Sequence, residues 1–179
     1  MLDSIYLSWL GIIYLIMLFI PNFFWTKYQP LGYDAKSENL ILLILERIGQ
    51  GLVTCFAIIS FQKIIWQWDI LLIIATIAMF LYEGYWIRYF HSDCTLQDFY
   101  TSFLKIPLAG ATLPVLAFLC LGIYERHILL VISTIILGIG HIGIHYEHFR
   151  KINAWFWRCF FCFFLDFRNI SKINSLLLG

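Results

Sequence analysis

Five times along this chain, about twenty residues pass with almost nothing but apolar side chains. A helix needs about 20 such residues to cross the roughly 30 Å hydrocarbon core of a bilayer. The pattern predicts an all-α integral membrane bundle of about five transmembrane helices, over about residues 5–24, 39–61, 69–90, 104–124 and 127–147. Composition agrees. Hydrophobic residues make up 61% of the chain and charged ones only 13%, against about 45–50% and about 25% in soluble domains. A soluble core of 179 residues could not bury that much apolar surface, so lipid is the expected solvent. The formal net charge of +1 offers no footprint for nucleic acid, and none is expected as a partner.

Orientation follows from the basic residues. With the N-terminus outside, the inner side receives Lys27, Lys36, Arg88, Lys105, Arg150, Lys151, Arg158, Arg168 and Lys172, and the outer side only Lys63 and Arg126. Cytoplasmic loops carry the Lys/Arg excess, so the C-terminus is expected in the cytoplasm. The first apolar stretch lacks a basic leader region and a small-residue cleavage site, and reads as an uncleaved span. Residues 1–149 then form one transmembrane domain. The remainder, 150–179, contains WFWRCFFCFFL, which is too short to span and is interrupted by Arg158. It reads as an aromatic, basic tail in the cytoplasm or at the interface. Five cysteines without regular spacing argue against a disulfide framework. Cys159-x2-Cys162 has no second pair to complete a zinc site.

Ionisable groups inside spans cost about 2.5–3.5 kcal/mol each on insertion scales and mark candidate sites. Glu46 and Arg47 lie in the second span, Glu83 in the third, and His141 and His145 in the fifth. Glu46, Glu83 and His141 each stand about seven residues from the predicted inner end of their helix, roughly 10 Å deep at 1.5 Å per residue. At about 100° per residue, His141, His145 and His148 fall within about 60° of one another. Their stripe continues through Gly138 and Thr134, a seam suited to close helix contact. Gln50 shares a face with Glu46, and Arg47 is expected to be neutralised by Glu46 and Glu83.

Four readings fit this layer. It is a structural polar network, in a protein that acts alone, as a homo-oligomer or with a membrane-protein partner. It is a divalent-metal site, in which His141, His145 and His148, at H-x3-H-x2-H spacing, are joined by a glutamate. It is a proton or cation pathway through Glu46, Glu83 and the histidines. Or it is an enzyme site for a lipid head group, with His141 or His145 as base and Arg88 and Lys27 holding the anion. Asn22, beside Trp25, Lys27 and Tyr28, is a further binding candidate where the first span meets the cytoplasm. The chain carries no phosphate loop, dinucleotide fingerprint or nucleophile elbow.

The strings IPNFFWTKYQP, ILLILERIGQ, YEGYWIRYF, IPLAGATLPVLAF and LGIGHIGIH resemble those of a group of small, uncharacterised bacterial polytopic integral membrane proteins, over roughly residues 5–148. The resemblance implies a multi-pass location in the bacterial cytoplasmic membrane. It carries no activity, cofactor or site residue, and the tail after Arg150 lies outside it.

Overall fold

The computed structural model describes residues 5–61, 67 and 69–177, and side chains as far as Ala154 apart from that of Ser37. It divides into two compact units, Met1–His145 and Tyr146–Gly179.

Helix α1 (Trp9–Trp25) starts at Ser8, whose Oγ accepts the Gly11 N–H at 3.1 Å. Helix α2 (Leu40–Ile58) starts at Asn39, whose Oδ1 accepts the Ile41 N–H at 2.9 Å. Helix α3 (Ile70–Phe90) starts at Asp69, whose Oδ1 accepts the Leu71 N–H at 3.2 Å. Each cap satisfies a donor that the first turn leaves orphaned. Helix α4 (Leu96–Tyr100) is closed by the capping box that Thr95-x-x-Asp98 predicts, with reciprocal bonds of 3.1 Å. Helix α5 (Ala109–Tyr124) contains Pro114, and helix α6 (Ile128–Leu177) supplies the end of the first unit and all of the second.

Three differences from the sequence reading have local causes. Residues flanking the first two helices are extended: β1 (Tyr6–Leu7) pairs antiparallel with β2 (Ile59–Ser60), so α1 and α2 are shorter than their apolar runs. Helix α5 begins at Ala109 and not near Leu104, because Pro107 and a tight turn precede it. In that turn Phe103 bridges Ile106, and Leu104, Lys105 and Leu108 have φ of 50°, 67° and 51°. The helix that begins at Ile128 does not stop near Glu147. No glycine or proline interrupts residues 144–178, and the backbone stays helical to Leu177. The expected interfacial placement of the aromatic run 155–165 falls on side chains outside the described residues.

Helices α2, α3 and the Ile128–Ala154 part of α6 are long and apolar enough to cross a membrane, and α1 and α5 are shorter apolar helices. In the first unit α3 packs chiefly on α5. Tyr82, Tyr85 and Tyr89 of α3 and Phe118 of α5 are fully buried there. Outward faces are strongly apolar: Ile13, Ile16, Ile20 and Phe23 on α1, and Ile132, Ile135 and Ile139 on α6, are exposed.

A buried polar cluster ties the start of α1 to the α5–α6 turn. Ser8 N–H donates to Ile58 O at 2.8 Å, and Ser8 Oγ donates to Glu125 Oε1 at 2.5 Å. Glu125 is 4% exposed, and its Oε2 has no partner among the described residues. His127 accepts the Leu130 N–H on Nδ1, and its ring contacts those of Phe56 and Phe61.

Burial pushes the Glu125 carboxyl up to about 7 against the opposing Ser8 bond. A raised carboxyl favours the folded state in acid and loses that advantage as pH climbs from the unfolded value to about 7. Stability should therefore fall between about pH 4.5 and about pH 7, by at most roughly 3 kcal/mol, and the melting temperature should fall with it. Thermal melts of Glu125→Gln across that range should be flat where the parent protein slopes.

Candidate functional site

Two glycines bring α2 and α6 into backbone contact. A methyl placed on Gly140 would lie 2.3 Å from the Glu46 nitrogen, and one on Gly49 would lie 2.4 Å from that of Leu137. No Cβ can approach so closely, so only glycine allows this crossing. The contact sets His141, the residue after Gly140, against Glu46. His141 Nδ1 donates to Glu46 Oε1 at 2.5 Å, with the two side chains 26% and 16% exposed. A carboxylate on Nδ1 fixes the ring and leaves Nε2 as the nitrogen that can take a proton. His145 stacks edge-on one turn away, with ring centroids 4.6 Å apart. Its Nδ1 lies 3.5 Å from Tyr100 Oη, and its ring contacts Phe99. A row of ionisable groups thus runs from Glu46 through His141 and His145 to Tyr100.

Glu46, His141 and His145 of this row line a cavity of about 290 Å³, and Tyr100 stands outside the lining. The lining begins in the α1–α2 connection, at Gln29, Tyr33 and Glu38, and ends inside the bundle at Leu18, Gln50 and Phe118. Asn22 enters from α1, donating from Nδ2 to Leu18 O at 2.7 Å and to Tyr82 Oη at 2.8 Å. Tyr33 donates to Glu38 Oε1 at 3.1 Å. Arg47 lines the cavity as an exposed residue and makes no hydrogen bond or ion pair among the described residues.

Of the residues singled out by sequence, the cavity gathers Glu46, Arg47, Gln50, Asn22, His141 and His145. It does not gather Glu83. The inward face of α3 runs through Met79, Tyr82, Trp86 and Tyr89, and Glu83 is turned about 100° from Tyr82. The expected Arg47–Glu83 pair is not made, and Glu83 Oε1 is buried without a partner among the described residues. Arg88 is engaged elsewhere: Nη2 donates to the carbonyls of Asp98 (2.9 Å) and Thr101 (3.3 Å), and the guanidinium lies over Tyr85 and Phe103. It pins α4 to α3 and is not placed to hold a head group in the cavity. Lys27 lies over its neighbour Tyr28, outside the lining. His148 belongs to the second unit. Among the described residues no group of three or more His, Cys, Asp or Glu converges as a metal site, so the histidine trio does not form one with Glu46 or Glu83.

Sequence reasoning missed Tyr33, Glu38 and Tyr100. A signal for the first two was present. Pro30 and Gly32, the latter at φ 86°, make a turn closed by Tyr33 N–H to Pro30 O at 3.1 Å, which folds the connection back. Burial raises the phenols of Tyr33 and Tyr100 above their ordinary range, so both stay protonated as donors.

Removing either end of the Glu46–His141 bond strands a half-buried polar group. Glu46→Ala should cost about 1–3 kcal/mol, whereas Arg47→Gln, which loses no partner, should stay within about 0.5 kcal/mol. Thermal melts of both variants in the same detergent check the contrast.

No protein-family model, curated protein or solved structure matches this chain.

Proposed function

We propose that this is a multi-pass protein of the bacterial cytoplasmic membrane whose cavity binds the anion-bearing head of a membrane amphiphile, with His141 as acid–base group. Five spans are assigned to α1, α2, α3, α5 and the first part of α6, with the N-terminus outside and the C-terminus in the cytoplasm. The outward isoleucines of α1 and α6 support a lipid environment. The excess of basic residues on one side supports the orientation. The cavity then begins at the cytoplasmic face, beside the connection that carries Lys27 and Lys36.

Arg47 carries the functional reading. It stands on the cavity wall with no counter-charge bonded to it, while each carboxylate of the lining, Glu38 and Glu46, already receives a hydrogen bond. A guanidinium in an apolar helix needs an acceptor, and its planar fork suits a phosphate or carboxylate. Gln50, one turn away, adds an amide to the same wall. His141, oriented by Glu46, is placed to take or give a proton on the bound head. A purely structural lock would fill this space and pair Arg47. A transport path would continue past Gln50, where the lining among the described residues ends.

Glycerol phosphate, a head without a tail, tests the site in detergent. It should raise the melting temperature of the parent protein and of Lys27→Gln, and that stabilisation should vanish in Arg47→Gln. Equal stabilisation of Arg47→Gln would sink the reading. For topology, Arg126→Cys should react with a membrane-impermeant maleimide in intact spheroplasts, while the native Cys94 should react only after permeabilisation. The reverse pattern would invert the assignment.

A further inference from the structure

A second recess lies on the other side of the α5–α6 seam. It has a volume of about 350 Å³, and Ile135 and Ile139, 50% and 55% exposed, form its outer lip. Its lining is apolar throughout, since the one hydroxyl, on Thr134, donates to Leu130 O of its own helix at 2.7 Å. Val115 lines both this groove and the polar cavity. Opposite it stands Gly138, where an added methyl would lie 3.0 Å from Val115 Cγ1. Val115 is thus a side chain common to both linings. Along α6 the groove extends from Gly143 to Thr134, roughly 13 Å. It thus starts beside His141 and runs away from the end where the cavity begins.

We propose that this groove holds the hydrocarbon chain of an anionic membrane lipid whose head occupies the cavity beside Arg47, with Val115 as the side chain that moves to let the two parts join. The inference rests on the head-group reading above and specifies the ligand as a lipid, not a free anion. Charge selects the head, because Arg47 is a cation of the lining that makes no hydrogen bond or ion pair among the described residues. Polarity selects the tail, because the groove offers nothing to a polar one. The two linings overlap along α6, the cavity from Leu137 to His145 and the groove from Thr134 to Gly143. The groove reaches about one turn farther from the end where the cavity begins, the direction a lipid chain takes toward the midplane.

The test uses the full chain in nanodiscs of equal palmitoyl-oleoyl phosphatidylglycerol and phosphatidylcholine. Bound lipid is counted by native mass spectrometry after release into mild detergent. The parent protein should retain phosphatidylglycerol in preference to phosphatidylcholine. Ile139→Trp, which fills the groove from its exposed lip, should retain at least about tenfold less, yet keep its stabilisation by glycerol phosphate. Ile132→Trp, exposed on the same helix outside the groove, should behave as the parent does. Retention by Ile139→Trp equal to the parent's, or a groove-dependent dimer in place of bound lipid, would overturn the groove and leave the cavity reading standing. If glycerol phosphate stabilises no form of the protein, the cavity reading fails and the groove inference goes with it.

Discussion

Backbone against backbone, where α2 crosses α6, is the constraint on which the site depends. Gly49 and Gly140 remove the side chains that would hold the helices at an ordinary 8–10 Å spacing. At closer range, residues next to the crossing must meet. Glu46 and His141 are those residues, and their 2.5 Å bond is a result of the crossing more than its cause. Helix α6 then carries His145 one turn on, to the aromatic floor made by Phe99 and Tyr100 of α4. Helix α4 is held in turn by Arg88 through two carbonyls. One close contact thus propagates through two helices to a short capped turn, and the cavity is the space these elements leave open.

The two ends of the first unit differ in character. At one end Ser8, Glu125 and His127 are buried, and Ser8 and Glu125 bond each other with no cavity between them. That end closes the start of α1 onto the α5–α6 turn. At the other end the polar groups line open volume, and the cationic one among them has no bonded partner among the described residues. Buried polar groups are costly unless satisfied. At the Ser8 end even so, Glu125 Oε2 and His127 Nε2 stay buried without a partner among the described residues, whereas Arg47 is exposed on the cavity wall.

Much of this was legible in the sequence, and the limits are physical. The apolar runs place the starts of α2 and α3 near residues 39 and 69, where Asn39 and Asp69 cap them, and the Thr95–Asp98 spacing marks the box of α4. Counting residues from helix ends gave depth, which is why Glu46 and His141 were matched correctly. Depth says nothing of azimuth. Glu83 lies near the expected depth on α3 but looks the wrong way, and only the packing of Tyr82 and Trp86 reveals it. Arg88 is a head-group candidate by sequence, and its actual partners are main-chain carbonyls, which leave no mark in a sequence. The continuation of α6 to Leu177 is legible in the missing glycines and prolines of residues 144–178, although the apolar run there is too short to mark a span.

Proline 114 has a consequence of its own. It sits inside α5 on the cavity wall, as does Gly110 one turn earlier. A proline has no N–H to return to the carbonyl four residues back, so the Gly110 oxygen loses its customary helical donor. Both residues line the cavity, so the turn of α5 that lacks this bond is one that borders it. With one backbone bond fewer to break, α5 can bend at the wall of the cavity more readily than an uninterrupted helix would.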